Sequence, residues 1–86
     1  MSGTVTVHVT QEDIDRGVRN DAAACPIARA VRREGYPRAH VSIRSWILYG
    51  SSGRTRAPLS RRARRFVRDF DNGQIVQPAT FRLRLS

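Results

Sequence analysis

The chain has 86 residues, and its single cysteine, Cys25, excludes an intramolecular disulfide and cannot alone supply a structural zinc site. That length makes one domain, residues 1–86, with a core near the lower limit for folding without staples. The formal net charge is +9 and all sixteen basic residues are arginine; no apolar run approaches the roughly 20 residues needed to cross a bilayer.

Thr4 to Val9 alternates, with Val5, Val7 and Val9 on one side and Thr4, Thr6 and His8 on the other, as in a half-buried strand. Thr10 and Asp13 then form a weak capping box for a short helix over Gln11 to Arg16, closed by Gly17. Arg19 to Ala24 reads as a turn, with Asn20 and Asp21 supplying its chemistry. Pro26 suits the first turn of a second helix, because its missing N–H costs nothing there. That helix runs to about Glu34, turning Ile27, Ala30 and Val31 inward and Arg29, Arg32 and Arg33 outward, before Gly35 and Pro37 stop it.

Val41 to Tyr49 is the richest β segment. Unbroken alternation puts Val41, Ile43, Ile47 and Tyr49 on one face and Trp46 and Leu48 on the other. Apolar residues on both faces indicate a central strand, or a bulge near Ser45 that re-aims part of it. Gly50 to Gly53 reads as a hairpin loop, and Arg54 to Leu59 returns as a short strand that Pro58 confines to an edge. In Ser60 to Gly73, Ala63, Phe66, Val67 and Phe70 recur at i, i+3, i+4 and i+7, one apolar stripe of a helix. Ser60 stands at the N-cap and Gly73 where the chain leaves through a positive φ. Thr80 to Leu85 alternates again, with Phe81, Leu83 and Leu85 inward and Arg82 and Arg84 outward.

The pattern β–α–α–β–β–α–β implies an α+β fold: a small four-stranded, mainly antiparallel sheet with two or three helices packed on one face. The opposite sheet face would carry Thr4, Thr6, Arg44, Trp46, Arg82 and Arg84.

Three constellations could carry chemistry. Arg61, Arg62, Arg64, Arg65 and Arg68 face away from the apolar stripe of the third helix, and Arg61, Arg65 and Arg68 fall on one line. Like charges at that spacing repel. The helix is also charged against its own dipole, with arginines at its start and Asp69 and Asp71 at its end. Breaking a local rule twice points to function; the alternative is a solvated face relieved by Arg65–Asp69 and Arg68–Asp71 pairs. The second constellation, Trp46 among Arg44, Arg82 and Arg84, would make a stacking platform or a protein interface. Loops or a partner covering the tryptophan are the plain alternative. The third is Cys25 before Pro26, a thiol at a helix N-terminus. It lacks a resolving cysteine, since Ala28 holds that place, and reads better as a buried small hydrophobe. His8 and His40 have no predicted neighbours that would make a metal site. No Ser/His/Asp set, carboxylate pair or glycine-rich phosphate loop is present, so neither an enzyme nor a cofactor is expected.

VTQEDIDRGVRNDAAACPIARAVRREG and LSRRARRFVRDFDNGQIVQPATFRLRL together resemble a family of small uncharacterised proteins of actinobacterial and other phages and prophage-bearing bacteria. Thr10, Ile14 and Gly17, the run Cys25 to Ala28, the run Arg65 to Asp71 and the Pro78 to Phe81 ending carry the resemblance, which spares only the middle hairpin. It implies a phage or prophage origin and transfers no functional residue.

The excess of base over acid predicts a polyanion partner, because arginine forks match phosphate bidentately. A GC-rich genome would explain the choice of Arg over Lys but not that excess. The function expected is therefore a small phage-type accessory protein that binds DNA, RNA or a nucleoprotein without catalysis, through Arg61, Arg62, Arg64, Arg65 and Arg68. The alternative is a protein-interaction module, a host-factor inhibitor or minor phage structural component, using the Trp46 face with Arg44, Arg82 and Arg84. MSGTVTV lacks the features of a signal peptide. A soluble cytoplasmic protein is expected, in the host cytoplasm if phage-encoded, as a monomer or small homo-oligomer without a membrane partner.

Overall fold

The computed structural model describes residues 4–50 and 53–84, with the backbone alone described at 48–50, 53–55 and 84. In chain order the elements are β1 (Thr4–Val9), α1 (Gln11–Arg16), α2 (Pro26–Arg33), β2 (His40–Val41), β3 (Ser45–Gly50), β4 (Gly53–Pro58), α3 (Arg61–Asp71) and β5 (Ala79–Arg84). The fold is α+β. Its strands divide into two antiparallel sheets, β1–β5 and β2–β3–β4. No helix among the described residues is long and apolar enough to cross a membrane.

The first sheet joins the two ends of the described chain. Val5 lies opposite Leu83, Val7 opposite Phe81 and Val9 opposite Ala79, while Thr6–Arg82 and His8–Thr80 face outward. The alternation of both strands thus converges on one apolar face. Helix α2 packs on that face through β1, and α3 reaches it through Phe66, whose ring meets Phe81 edge-to-face at 5.4 Å between centroids. Outside, the His8 ring bonds the Thr80 hydroxyl at 3.0 Å. Leu85 lies beyond the described residues, as do the two residues between β3 and β4.

The second sheet departs from the expected continuous strand over Val41–Tyr49. The chain folds back at Ser42–Ser45, giving β2 and β3 with Val41 opposite Trp46. The Ser42 N–H donates to the Ser45 carbonyl at 2.8 Å; the Ser42 hydroxyl donates to the same oxygen at 2.9 Å and accepts from the Ser45 N–H at 3.3 Å. Serine side chains compete with ladder bonds in this way and close turns without glycine. The turn resets the alternation. Trp46, facing Val41 on one side and Ala57 on the other, is fully buried.

Helices α1 and α3 start on the caps their sequence proposes, and α2 starts at Pro26 as expected. Thr10 and Asp13 form a complete capping box for α1, and the Ser60 hydroxyl accepts from the Ala63 N–H of α3 at 3.2 Å. At α2 the Cys25 sulfur accepts from the Ala28 N–H at 3.4 Å. Helix α3 ends in a Schellman motif: Gln74 N–H reaches the Asp69 carbonyl, Gly73 N–H reaches the Phe70 carbonyl, and Gly73 has φ +80°.

Asp13 has a second role that its cap position does not reveal. Its carboxylate is fully buried and takes a two-pronged fork from Arg33, Nη1 to Oδ1 at 2.8 Å and Nη2 to Oδ2 at 2.7 Å. Arg29 Nε stands 3.5 Å away, and Arg33 also donates to the His8 carbonyl. Arg29 and Arg33, expected merely to face outward, thus pin α1 and the end of β1 to α2. Burial raises the Asp13 carboxyl, but the Arg33 and Thr10 hydrogen bonds and the Arg33 charge outweigh it and hold the carboxyl below its ordinary range.

Candidate nucleic-acid interface

Helix α3 presents Arg61, Arg64, Arg65 and Arg68 because its other side is committed to the core: Ala63, Phe66, Val67 and Phe70 are all buried. The Ser42–Ser45 turn projects its two central residues, Ile43 and Arg44, toward this helix. Together Ile43, Arg44, Arg61, Arg64, Arg65 and Arg68 line a groove of about 580 Å³. Five guanidinium groups from two elements therefore surround one depression, and no acidic side chain among the described residues lines it.

The charges in this groove are little compensated. Arg65 Nε stands 4.0 Å from Asp69, an exposed pair of small worth. The expected Arg68–Asp71 pair does not form; Asp71 instead accepts the Asn20 N–H at 2.9 Å and ties the α1–α2 loop to α3. Among the described residues, the side chains of Arg44, Arg61, Arg64 and Arg68 make no hydrogen bond or ion pair. The first turn of α3 holds no acid, so the positive end of the helix dipole adds to the same field. Relief by internal pairs, the alternative to a binding role, is thus confined to Arg65.

Other site residues stand elsewhere. Arg62 leaves the groove and lies over the Phe81 ring, 5.4 Å from its centroid, as a cation–π contact. The proposed face of Arg44, Trp46, Arg82 and Arg84 is not assembled. Trp46 is inside, because the turn at Ser42–Ser45 inverts the expected alternation and burying so large an apolar surface is strongly favourable. Arg82 is exposed on the outer face of the β1–β5 sheet, opposite Thr6, while the Arg84 side chain lies outside the described residues. Among the described side chains of that set, Arg44 alone joins the helix arginines. Ser-x-x-Ser around Ile43–Arg44 is the sequence signal that would have found it.

Cys25 is buried and 2% exposed. Burial pushes its thiol up to about 11 against the pull of the Ala28 and Ile27 N–H groups, the reverse of what a nucleophilic cysteine needs. Among the described residues no three His, Cys, Asp or Glu side chains come together as metal ligands. Comparison of the chain with protein-family models, with curated proteins and with solved structures gives no match.

Proposed function

We propose that this protein is a non-catalytic binder of nucleic acid, gripping phosphates in the groove between α3 and the β2–β3 turn. The observation that carries the reading is the convergence of Arg44, Arg61, Arg64, Arg65 and Arg68 on one groove with no acid lining it among the described residues. Each guanidinium can fork onto phosphate oxygens. Each contact releases condensed counterions, which supplies affinity and makes it fall steeply with salt. A chain of net charge +9 adds long-range attraction to the same partner. An accessory role of this kind, in the cytoplasm of a host cell, suits the phage-type proteins its motifs resemble.

The test is binding to labelled DNA and RNA between low and physiological salt, with Arg61, Arg65 and Arg68 changed together to Gln as the comparison. Micromolar or tighter binding that weakens with salt and is lost in the variant supports the reading. Absence of binding at low salt defeats it.

One surface favours a second reading, a module that engages a host or phage protein. Ile75 is 90% exposed beside a depression of about 340 Å³ lined in part by Phe66, Val76, Ala79 and Phe81. On that reading a protein partner is retained at high salt and released by Ile75→Asp, while a variant with only Arg61 and Arg68 changed to Gln, which keeps Arg65 at that depression, still holds it.

A further inference from the structure

We infer that the groove takes a nucleic-acid duplex by its backbone, without reading sequence, in preference to a single strand. The inference rests on the phosphate-binding reading above and narrows its partner.

Charge density is the first argument. Arg61 to Arg68 spans about 10 Å of helix axis at 1.5 Å per residue. Over that length one stacked strand offers about three phosphates, whereas a duplex offers about six, one per 1.7 Å. Five guanidinium groups line the groove. They exceed what one strand presents there and come close to what two strands present. They also come from two separate elements, the helix and the turn, an arrangement suited to phosphates on two strands.

The groove's composition is the second. Binders of single strands hold bases on exposed aromatic rings. Here Phe66, Phe70, Phe81 and Trp46 are all buried, and among the described residues no ring lines the groove. Its only apolar member among the described residues is Ile43, 45% exposed. Nor does any Asn, Gln, Asp or Glu side chain among the described residues line it, so the groups that select adenine or cytosine at base edges are missing. Arginine can itself fork onto guanine, a contact that permuting the duplex sequence tests; its contacts to phosphate fix position on the backbone and carry no sequence information directly.

The test uses the whole protein with a short duplex DNA, a duplex RNA of the same length and one DNA strand alone, titrated by fluorescence anisotropy at several salt concentrations. The expected result is about tenfold or greater preference for a duplex, unchanged on permuting its sequence; the DNA and RNA arms say which duplex is preferred. For duplex DNA, log K should fall against log salt with a slope of about −4 to −5, as five phosphate contacts require. Arg44→Gln should reduce that slope by about 1, and Arg82→Gln, outside the groove, should leave it unchanged. Equal or tighter binding to the single strand, still lost in the groove variants, overturns the duplex inference and leaves phosphate binding standing. A tenfold dependence on duplex sequence overturns the claim that sequence is not read. No salt-dependent binding to any probe overturns both readings.

Discussion

Replacing Asp13 with Asn removes the only charge on a fully buried side chain among the described residues while keeping its size. The carboxylate receives both prongs of Arg33 at 2.8 and 2.7 Å and the Thr10 N–H at 3.0 Å, with Arg29 Nε at 3.5 Å. An amide accepts through one oxygen and turns an NH₂ toward a guanidinium, so the fork is broken and Arg33 is left against an uncharged partner. Arg33 is 48% exposed and can turn to water once the carboxylate is gone, so the cost is that of lost charge-assisted hydrogen bonds, about 1.5–3 kcal/mol, and not that of a stranded buried charge. At about 0.05–0.15 kcal/mol per residue, the whole domain holds only about 4–13 kcal/mol. The variant should therefore lose a sizeable share of that stability, and a urea titration at pH 7 measures the loss directly. The pH dependence adds a second check. Asp13 has a folded pKa below its unfolded value. Its contribution is therefore complete above the unfolded value of about 3.9 and is lost as pH falls through the lower folded value. Wild type should lose stability across that acid window, and Asp13→Asn should lack this component. A loss below about 1 kcal/mol at pH 7, less than a charge-assisted hydrogen bond contributes, or an acid slope identical to wild type, would refute the clamp.

Further predictions test the parts that position the groove. Trp46→Ala should destabilise by about 3–5 kcal/mol in chemical denaturation, because the side chain is wholly internal; Arg44→Gln, at the exposed turn, should stay within about 0.5 kcal/mol of wild type. Gly17→Ala should lower the melting temperature, since an added Cβ would stand 2.8 Å from Pro26 Cδ and 2.9 Å from the Asp13 carbonyl oxygen. Such overpacking costs about 1–3 kcal/mol. Cys25 should resist iodoacetamide at pH 8 in the folded protein and react once unfolded, because its buried thiol titrates only near about 11; rapid alkylation of the folded state would contradict that placement.

Much of this fold is legible from local chemistry. Strand β1, the bounds of α1 and α3, the caps at Thr10 and Ser60 and the exit at Gly73 follow from patterns that local interactions alone satisfy. The β2–β3 turn was legible only as a possible bulge near Ser45. It uses neither glycine nor a positive φ, and its only mark is a pair of serines three positions apart. Missing it reversed the alternation of β3, placed Trp46 outside, and separated Arg44 from the helix arginines it faces. The Asp13–Arg33 clamp was hidden for a different reason. Twenty residues separate its partners, and only the packing of α1 on α2 brings them together. The helix half of the groove was thus visible as a stripe of arginines, whereas its other wall depended on a tertiary contact.

The most direct test of the groove is arginine footprinting. The protein would be treated with an arginine-selective dicarbonyl, free and saturated with nucleic acid at low salt, and the modified positions identified by mass spectrometry. The account predicts protection of Arg44, Arg61, Arg64, Arg65 and Arg68 together, with Arg16 and Arg82 modified equally in both states. Protection centred on Arg82 or on the α2 arginines, with the five groove positions still reactive, would contradict it.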